Sequence, residues 1–301
     1  MFKKLKIGIK ILLILSFIAI VSVGIIGYLS YQAGKSTLEE AAYSKLRAVR
    51  EIKKNQILDY FKTMEHQLCV IKDDNFVNRD LQDFNSVLVR SQDNVLTQEW
   101  IRIASRYNKR MKKILDHFGY HDIFLINLKG DIVYTVLRES DLGMNIPNSE
   151  LHKTSLGKAF EMAQSLTGDE ISIADFLPYF PSAEIPAAFM MAPMQNINGE
   201  VKGYFAFQIA IDKINYIMQE REGLGKTGET YLVGPDMRMR SDSFLDKERH
   251  SVKASFAGSV DKNGVDTEAS RKAISGLTGG EVINDYRGIS VLSAYTFLEI
   301  G

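Results

Sequence analysis

Cysteine is almost absent: Cys69 is the only one in 301 residues. That excludes an internal disulfide and any metal site built from several thiolates, and it suits an exported domain that avoids stray oxidation. On a helix face, Cys69 reads as a small apolar residue. An excess of charge is absent too. Lysine plus arginine and aspartate plus glutamate both number 37, so no global field draws the chain to nucleic acid or to another polyanion.

Catalytic motifs are missing as well. There is no Gly-x-Ser-x-Gly elbow, no cysteine and histidine pair with a third member, and no kinase glycine loop. Three short stretches imitate chemistry and fail on spacing. Gly225-Lys226-Thr227 resembles the end of a phosphate-binding loop, but Glu220 stands where that loop needs its first glycine, and a helical pattern precedes it where a strand is required. His117 and His121 have zinc-helix spacing, yet Gly119 between them breaks a helix and no glutamate follows in register. Asp261-Lys-Asn-Gly264 has its glycine too early for a calcium loop and no acidic twelfth ligand, so it reads as a turn. No catalytic residue, metal ligand or cofactor is expected, and the chain reads as a non-enzyme.

Residues 11–34 contain no charged side chain. They are mostly Ile, Leu, Val, Phe and Ala, long enough as a helix to cross a ~30 Å hydrocarbon core. A cleaved signal peptide fits worse, since its apolar core is usually ~7–15 residues and Tyr-Leu-Ser-Tyr-Gln-Ala-Gly is a poor cleavage site. Lys3, Lys4, Lys6 and Lys10 precede the stretch, while Glu39 and Glu40 follow it. The positive-inside rule therefore puts the N-terminus in the cytoplasm and everything after Gly34 outside. Tyr28 and Tyr31 fall where the helix leaves the bilayer, the level that suits an apolar ring with one hydroxyl.

Roughly 265 residues remain, enough for two subdomains. Over 35–72 there is no proline, and Leu38, Ala42, Leu46, Val49, Ile52, Leu58, Phe61, Met64, Leu68 and Ile71 recur at near-helical spacing. One long helix continues out of the membrane and is expected to pack against its twin in a homodimer. A second amphipathic helix spans about 97–117, with Trp100, Ala104, Tyr107, Met111, Ile114 and Phe118 on one stripe and Gly119 as its stop.

Beyond Gly119 the period changes to that of strands. Residues 120–127 and 132–138 read as a hairpin about a Lys-Gly-Asp turn, followed by a helix over about 149–164 and strands near 170–176, 187–194 and 201–210. Asp212 is placed to cap a short bridging helix ended by Gly223. The pattern then repeats in shorter form: strands at 229–233 and 237–241, a helix over about 266–275, and strands at 281–286 and 289–297.

Anchor, long helix, larger sheet module, bridging helix and smaller sheet module, in this order, resemble a double-Cache (dCache) sensor domain over residues 35–301. The most specific stretches are Gly228-Glu-Thr-Tyr-Leu-Val-Gly-Pro-Asp236 with Arg240-Ser-Asp-Ser243, and Gly276-Leu-Thr-Gly-Gly280 leading to Asp285-Tyr-Arg-Gly288 and Val291-Leu-Ser-Ala-Tyr295. They are similar to the membrane-proximal half of methyl-accepting chemotaxis receptors and related sensors. The resemblance implies an α+β fold with two PAS-like antiparallel-sheet modules in tandem. The expected division is 1–34 cytoplasmic stub and transmembrane helix, 35–118 helical stalk and dimerisation region, 119–211 membrane-distal module and 212–301 membrane-proximal module. It also implies that the chain is the front part of a longer protein, continuing to a second membrane helix, a HAMP relay and a cytoplasmic output.

Two stretches stand out as a ligand site. In Asp175-Phe-Leu-Pro-Tyr-Phe-Pro-Ser182 and Ile185-Pro-Ala-Ala-Phe189, prolines and aromatics interrupt the strand pattern. They fit a stiff pocket wall, whose ordering is done before a ligand arrives, and equally a crossover whose rings plug the core. On the strand 201–210 one face carries Tyr204, Ala206 and Gln208, the pocket side, and the other carries Phe205, Phe207 and Ile209, the core side. The ligand-binding residues expected are Tyr134, Asp175, Tyr179, Phe189, Met191, Tyr204 and Gln208. The resemblance adds a limit on the ligand. Amino-acid-binding relatives hold the amine with an aspartate on the last distal strand, and Gln208 occupies that position here; the arginine and aromatic pair that hold the carboxylate are missing from Leu151-His-Lys-Thr-Ser-Leu-Gly-Lys-Ala-Phe160. Free α-amino acids are therefore expected to bind poorly, with a carboxylate, a neutral polar metabolite or an aromatic compound preferred.

The function implied is extracytoplasmic small-molecule sensing by a transmembrane chemoreceptor that acts on cytoplasmic signalling proteins. A sensor histidine kinase or a cyclic-dinucleotide enzyme could carry the same sensor. A tethered exported enzyme would need a nucleophile, base or metal set that is not found, and an adhesive protein would show surface repeats. The topology has a direct test. A cysteine at Ser36 is expected to react with a membrane-impermeant thiol reagent in whole cells while one at Lys3 stays unlabelled; the reverse pattern would overturn both compartment and function.

Overall fold

An apolar run and an amphipathic one, with no proline between them, make a single helix of 66 residues, α1 (Ile7–Lys72). The computed structural model describes residues 6–92 and 94–300; Lys3 and Lys4, which contribute to the expected orientation, lie outside them. The first half of α1 is apolar on every side and exposed, as at Ile11, Phe17, Ile20 and Ile26. It is long and apolar enough to cross a membrane. In the second half the stripe Ile57, Phe61, Met64, Leu68 turns inward and is buried by the chain itself.

Two helices fold back beside that stripe, α2 (Asn75–Arg90) and α3 (Gln98–Phe118). The N-cap hydroxyl of Thr97 accepts from the Trp100 amide at 3.2 Å, and Gly119 ends α3 at φ 75°, a left-handed conformation that glycine adopts freely. Within the helical region expected over 35–118, α2 was not delimited as a helix of its own, although Asp74 caps it by accepting from the Phe76 amide at 2.8 Å.

The three helices cover one face of a five-stranded antiparallel sheet: β1 (Asp122–Asn127), β2 (Ile132–Thr135), β3 (Ser172–Tyr179), β4 (Ile185–Gln195) and β5 (Val201–Gln208), in spatial order β2-β1-β5-β4-β3. Leu125, Tyr134, Met190, Phe205 and Phe207 meet Phe84 and Trp100 there in one core, and the Trp100 indole donates to the Val133 carbonyl at 2.9 Å. Gly203 permits the close approach of α2, since a Cβ would lie 2.5 Å from the Ile126 carbonyl and 2.7 Å from Leu81. The opposite face holds a second core, of Phe124, Phe189, Met191, Tyr204 and Phe160. Phe160 comes from α4 (Ser155–Ala163). The single helix expected over 149–164 is split, because Thr154 is extended and its hydroxyl caps α4 after a 3₁₀ turn at Glu150–Lys153.

Three further expectations change. The proline-rich stretch is not a break between strands but the hairpin of β3 and β4, with Pro178 paired to Pro186; β3 is an edge strand, where a missing N–H leaves no neighbour unsatisfied. Asp212 does not cap α5 (Ile211–Gln219): Ala210 is the N-cap residue, and Asp212 sits in the first turn, where a carboxylate favours the helix dipole. Asp261 to Gly264 is not a bare turn but contributes to the one-turn helix α7 (Val260–Asn263), which follows α6 (Val252–Ala257).

The smaller half is less regular than expected. α8 (Glu268–Ile274), β6 (Gly279–Asn284) and β7 (Ser290–Tyr295) form as anticipated, and the last two make a two-stranded sheet. The strands expected at 229–233 and 237–241 reduce to one bridge, Val233 to Met239. The reason is local. Ser241 Oγ takes the Leu232 amide at 2.9 Å and Ser255 Oγ takes the Met239 amide at 3.0 Å, donors that a ladder would have used.

One buried group on α2 stands out. Asp80 is 1% exposed and neither carboxylate oxygen has a partner; burial raises it to about 7, only partly opposed by Tyr107 and Arg110. A carboxyl raised in the folded state holds a proton that the unfolded chain has released, so its contribution is complete below pH ~4 and is lost as pH rises to 7. Asp80→Asn is accordingly expected to raise the melting temperature by several degrees at pH 8 and hardly at all at pH 4; equal effects at both would show that Asp80 is charged in the fold.

Candidate functional site

Strand alternation decides which side chains meet. Asp122 on β1 is paired directly with Gln208 on β5, and Gln208 in turn with Phe189 on β4, so the three share the face that carries α4. Tyr204 and Met191 lie farther along that face, where the Tyr204 ring stands edge-on to Phe160 at 5.0 Å. Tyr179 completes the wall, its ring 5.0 Å from Phe189. Five of the seven expected residues are therefore together. Tyr134 is on the other face, stacked on Phe84 at 5.0 Å with its hydroxyl donating to Asn108. Asp175 points outward and accepts from two of the three guanidinium nitrogens of Arg240, Nε and Nη2, each at 2.8 Å.

At the end of this face lies a closed polar cluster. Asp122 Oδ1 accepts from the amides of Ile123 at 2.7 Å, Val136 at 3.0 Å and Leu137 at 3.1 Å. The Tyr179 hydroxyl donates to Asp141 Oδ2 at 2.6 Å. Ser182 donates to Glu139 Oε2 at 2.7 Å and accepts from the Gln208 amide at 3.3 Å. Three oxygens are left over: Asp122 Oδ2, Asp141 Oδ1 and Gln208 Oε1 are buried and have no partner. Both aspartates are wholly buried and Gln208 is 3% exposed. No basic side chain hydrogen-bonds to any of these groups among the described residues.

The electrostatics follow from that imbalance. Burial raises Asp122 to about 7 against the opposing pull of its three amide bonds. Burial likewise raises Asp141 to about 6 despite the bond from Tyr179, and burial beside Asp141 pushes the Tyr179 hydroxyl far up, so it remains a donor. The chemistry on offer is acceptance: the cluster suits a small molecule that brings N–H or O–H donors and, best, a positive charge. Among the described residues no group of His, Cys, Asp and Glu is gathered for a metal ion.

The cover of the cluster is strained. Ala183 and Glu184, at the tip of the β3–β4 hairpin, have φ of 54° and 60°, and Arg138 beside the cluster has 57°. Left-handed conformations cost ~1 kcal/mol or more each for residues other than glycine, and asparagine with glycine would be the usual choice at such a hairpin tip.

Asp122, Glu139, Asp141 and Ser182 were not anticipated. Asp122 had a signal: it opens the apolar run Asp-Ile-Phe-Leu-Ile on the same alternation as Phe124. The register also changes the reading of Gln208. A carboxylate does share the face of Gln208, supplied by Asp122 from the neighbouring strand, so the neutral amide at 208 does not by itself exclude an amine. The absence of an arginine from the helix that follows stands, since the only basic residue in α4 is Lys158.

No family model matches the chain, and no curated protein matches it. Solved structures with a similar course are sensor domains. The sensor domain of the V. cholerae histidine kinase DctB is 13% identical, covering 70% of each chain at a TM-score of 0.48. The ligand-binding domain of the Pseudomonas fluorescens chemoreceptor CtaA, in complex with L-valine, is 10% identical over 85% of this chain and 95% of that one, at 0.44. The sensory domain of the Campylobacter jejuni chemoreceptor Tlp3 is 11% identical over 70% and 75%, also at 0.44.

The cluster makes opposite demands of two substitutions. Tyr179→Phe removes the one side-chain donor to Asp141 and is expected to destabilise the fold by ~1–3 kcal/mol. Asp141→Asn is expected to stabilise it at pH 8, where the carboxylate is charged, and to leave it unchanged at pH 4. Denaturant melts of both variants check this, and a neutral Tyr179→Phe would remove the hydroxyl from the account.

Proposed function

We propose that the chain is the sensing part of a single-pass membrane receptor of double-Cache organisation. In this reading residues 1–34 are the cytoplasmic stub and membrane helix, 35–118 the helical region, 119–211 the membrane-distal module and 212–301 the membrane-proximal module. The N-terminus is cytoplasmic, the bulk of the chain lies outside the cell membrane, and the output is a cytoplasmic signalling domain. The observation that carries the proposal is the set of three buried acceptors without donors, on Asp122, Asp141 and Gln208, in a module built onto a membrane-length helix. A core leaves acceptors empty at a cost of ~1–3 kcal/mol each, and a ligand that supplies the donors recovers it.

The ligand class is a small organic amine. Its ammonium bonds to Asp122 and Asp141, its other donors reach Gln208, and its apolar part lies on Tyr179, Phe189, Met191 and Tyr204. A free α-amino acid is disfavoured, because no basic side chain meets its carboxylate. Binding has no reaction attached to it.

Transmission runs through the β3–β4 hairpin. Its tip closes the cluster through Ser182, and its strand β3 carries Asp175, gripped by Arg240 of the smaller half. A ligand that stabilises one tip position biases the junction, and the outcome is a helix shift of ~1–2 Å. Leu38 and Ile52, 73% and 54% exposed, provide the apolar seam on which α1 pairs with its twin in a homodimer.

Thermal shift of the full chain in detergent tests the ligand class. Putrescine, ethanolamine and other amines are screened against α-amino acids and dicarboxylates. At about a hundred times its Kd a ligand adds ~2.7 kcal/mol, so an amine is expected to raise the melting temperature by several degrees. Asp122→Asn is expected to remove the shift. A shift with α-amino acids alone, insensitive to Asp122→Asn, would contradict the proposal.

A further inference from the structure

The smaller half has a cleft of its own, sharing no residue with the acceptor cluster and of opposite sign. About 480 Å³ in volume, it opens between the loop at 249–250, helix α7 and the turn joining β6 to β7, within the range usual for small-ligand sites. Arg249, Lys262 and Arg287 line it, against a single acidic residue, Asp261. Arg249 is shared with Asp246 at 2.9 Å and Arg287 with Asp285 at 2.6 Å. Lys262 has no ion-pair partner among the described residues.

The walls are built rather than incidental. Asn263 Nδ2 donates to the Arg249 carbonyl at 2.8 Å and ties α7 to the loop opposite. His250 lines the cleft although only 4% exposed. Its Nδ1 is engaged by Asp246 at 3.0 Å and its ring lies 4.2 Å from that of Tyr286. Tyr286 is itself fixed, with its hydroxyl donating to Glu229 at 2.5 Å. The other ring nitrogen, Nε2, has no hydrogen-bond partner among the described residues.

The geometry points to a second ligand site here, for a small soluble oxyanion bearing a phosphate or paired carboxylates, held by Lys262, Arg249, Arg287 and His250. Guanidinium groups match such oxygens two at a time, and a lysine adds a point charge. A lipid headgroup carries the same chemistry, but the smaller sheet lies along α1 from Tyr43, which faces Gly280, to Arg50, which donates to the Gly279 and Tyr295 carbonyls, ~14–24 Å of helix beyond Gly34. The soluble source is therefore the one inferred. The site is independent of the amine reading and can stand or fall without it.

Isothermal titration of the full chain in detergent, at fixed ionic strength, with sodium malonate and with inorganic phosphate tests it. At least one of the two is expected to bind with one-to-one saturation. Lys262→Glu with Arg249→Gln, both at exposed positions and the second setting no like charge against Asp246, is expected to weaken it by about tenfold or more, with little change in the ligand-free melting temperature. Absence of saturable binding by either anion, or equal affinity in the double variant, would overturn the site. Lys262-dependent recovery on phosphatidic acid vesicles, with neither soluble anion competing, would overturn the soluble source.

Discussion

One oxygen of Asp122 holds the end of the five-stranded sheet in shape, and the other has nothing to hold. Oδ1 gathers three backbone amides, joining the start of β1 to the turn that leaves β2. That turn leads through Arg138 to Glu139 and Asp141, which receive Ser182 and Tyr179 from the β3–β4 hairpin. The closure of the cluster by the hairpin follows from this anchoring. Oδ2 stays buried and unpartnered. A carboxylate so divided is stable in place and incomplete, the condition in which an added donor has the largest effect.

The same hairpin joins the two halves of the chain. Its edge strand offers Asp175 to Arg240, whose guanidinium also bonds Asp236 at 2.9 Å and lies over Phe256. Arg240 is 8% exposed, so its charge is committed to this junction and moves with it. Two further ties reach α1: Lys53 donates to the Ile217 carbonyl at 2.6 Å, and Arg50 to two carbonyls of the small sheet. Side-chain contacts thus run from the hairpin through Arg240 and the smaller half to α1, the helix long and apolar enough to cross a membrane.

Much of this was legible in the sequence. The membrane-length run, the exit helix, Thr97 and Gly119 at the ends of α3, and the faces of β5 follow from period and composition, because each is a local property. The acceptor cluster is not local. It exists only once β1 lies against β5 with Asp122 facing Gln208, and no spacing along the chain reveals that pairing. The fate of residues 229–241 was hidden for a related reason. The alternation of a strand is present, but Ser241 and Ser255 divert two amides from the ladder, a competition visible only when the chain is folded.

At the end of the five-stranded sheet, carboxyl groups are buried with too few donors to satisfy them. Carbon-detected NMR titration of the side-chain carboxyls reads this directly. Asp122 is expected to titrate at about 7 and Asp141 at about 6 in the ligand-free protein, and both are expected to fall when an amine occupies the site. Titration of both in the usual aspartate range near 4, unchanged by any amine, would contradict the account.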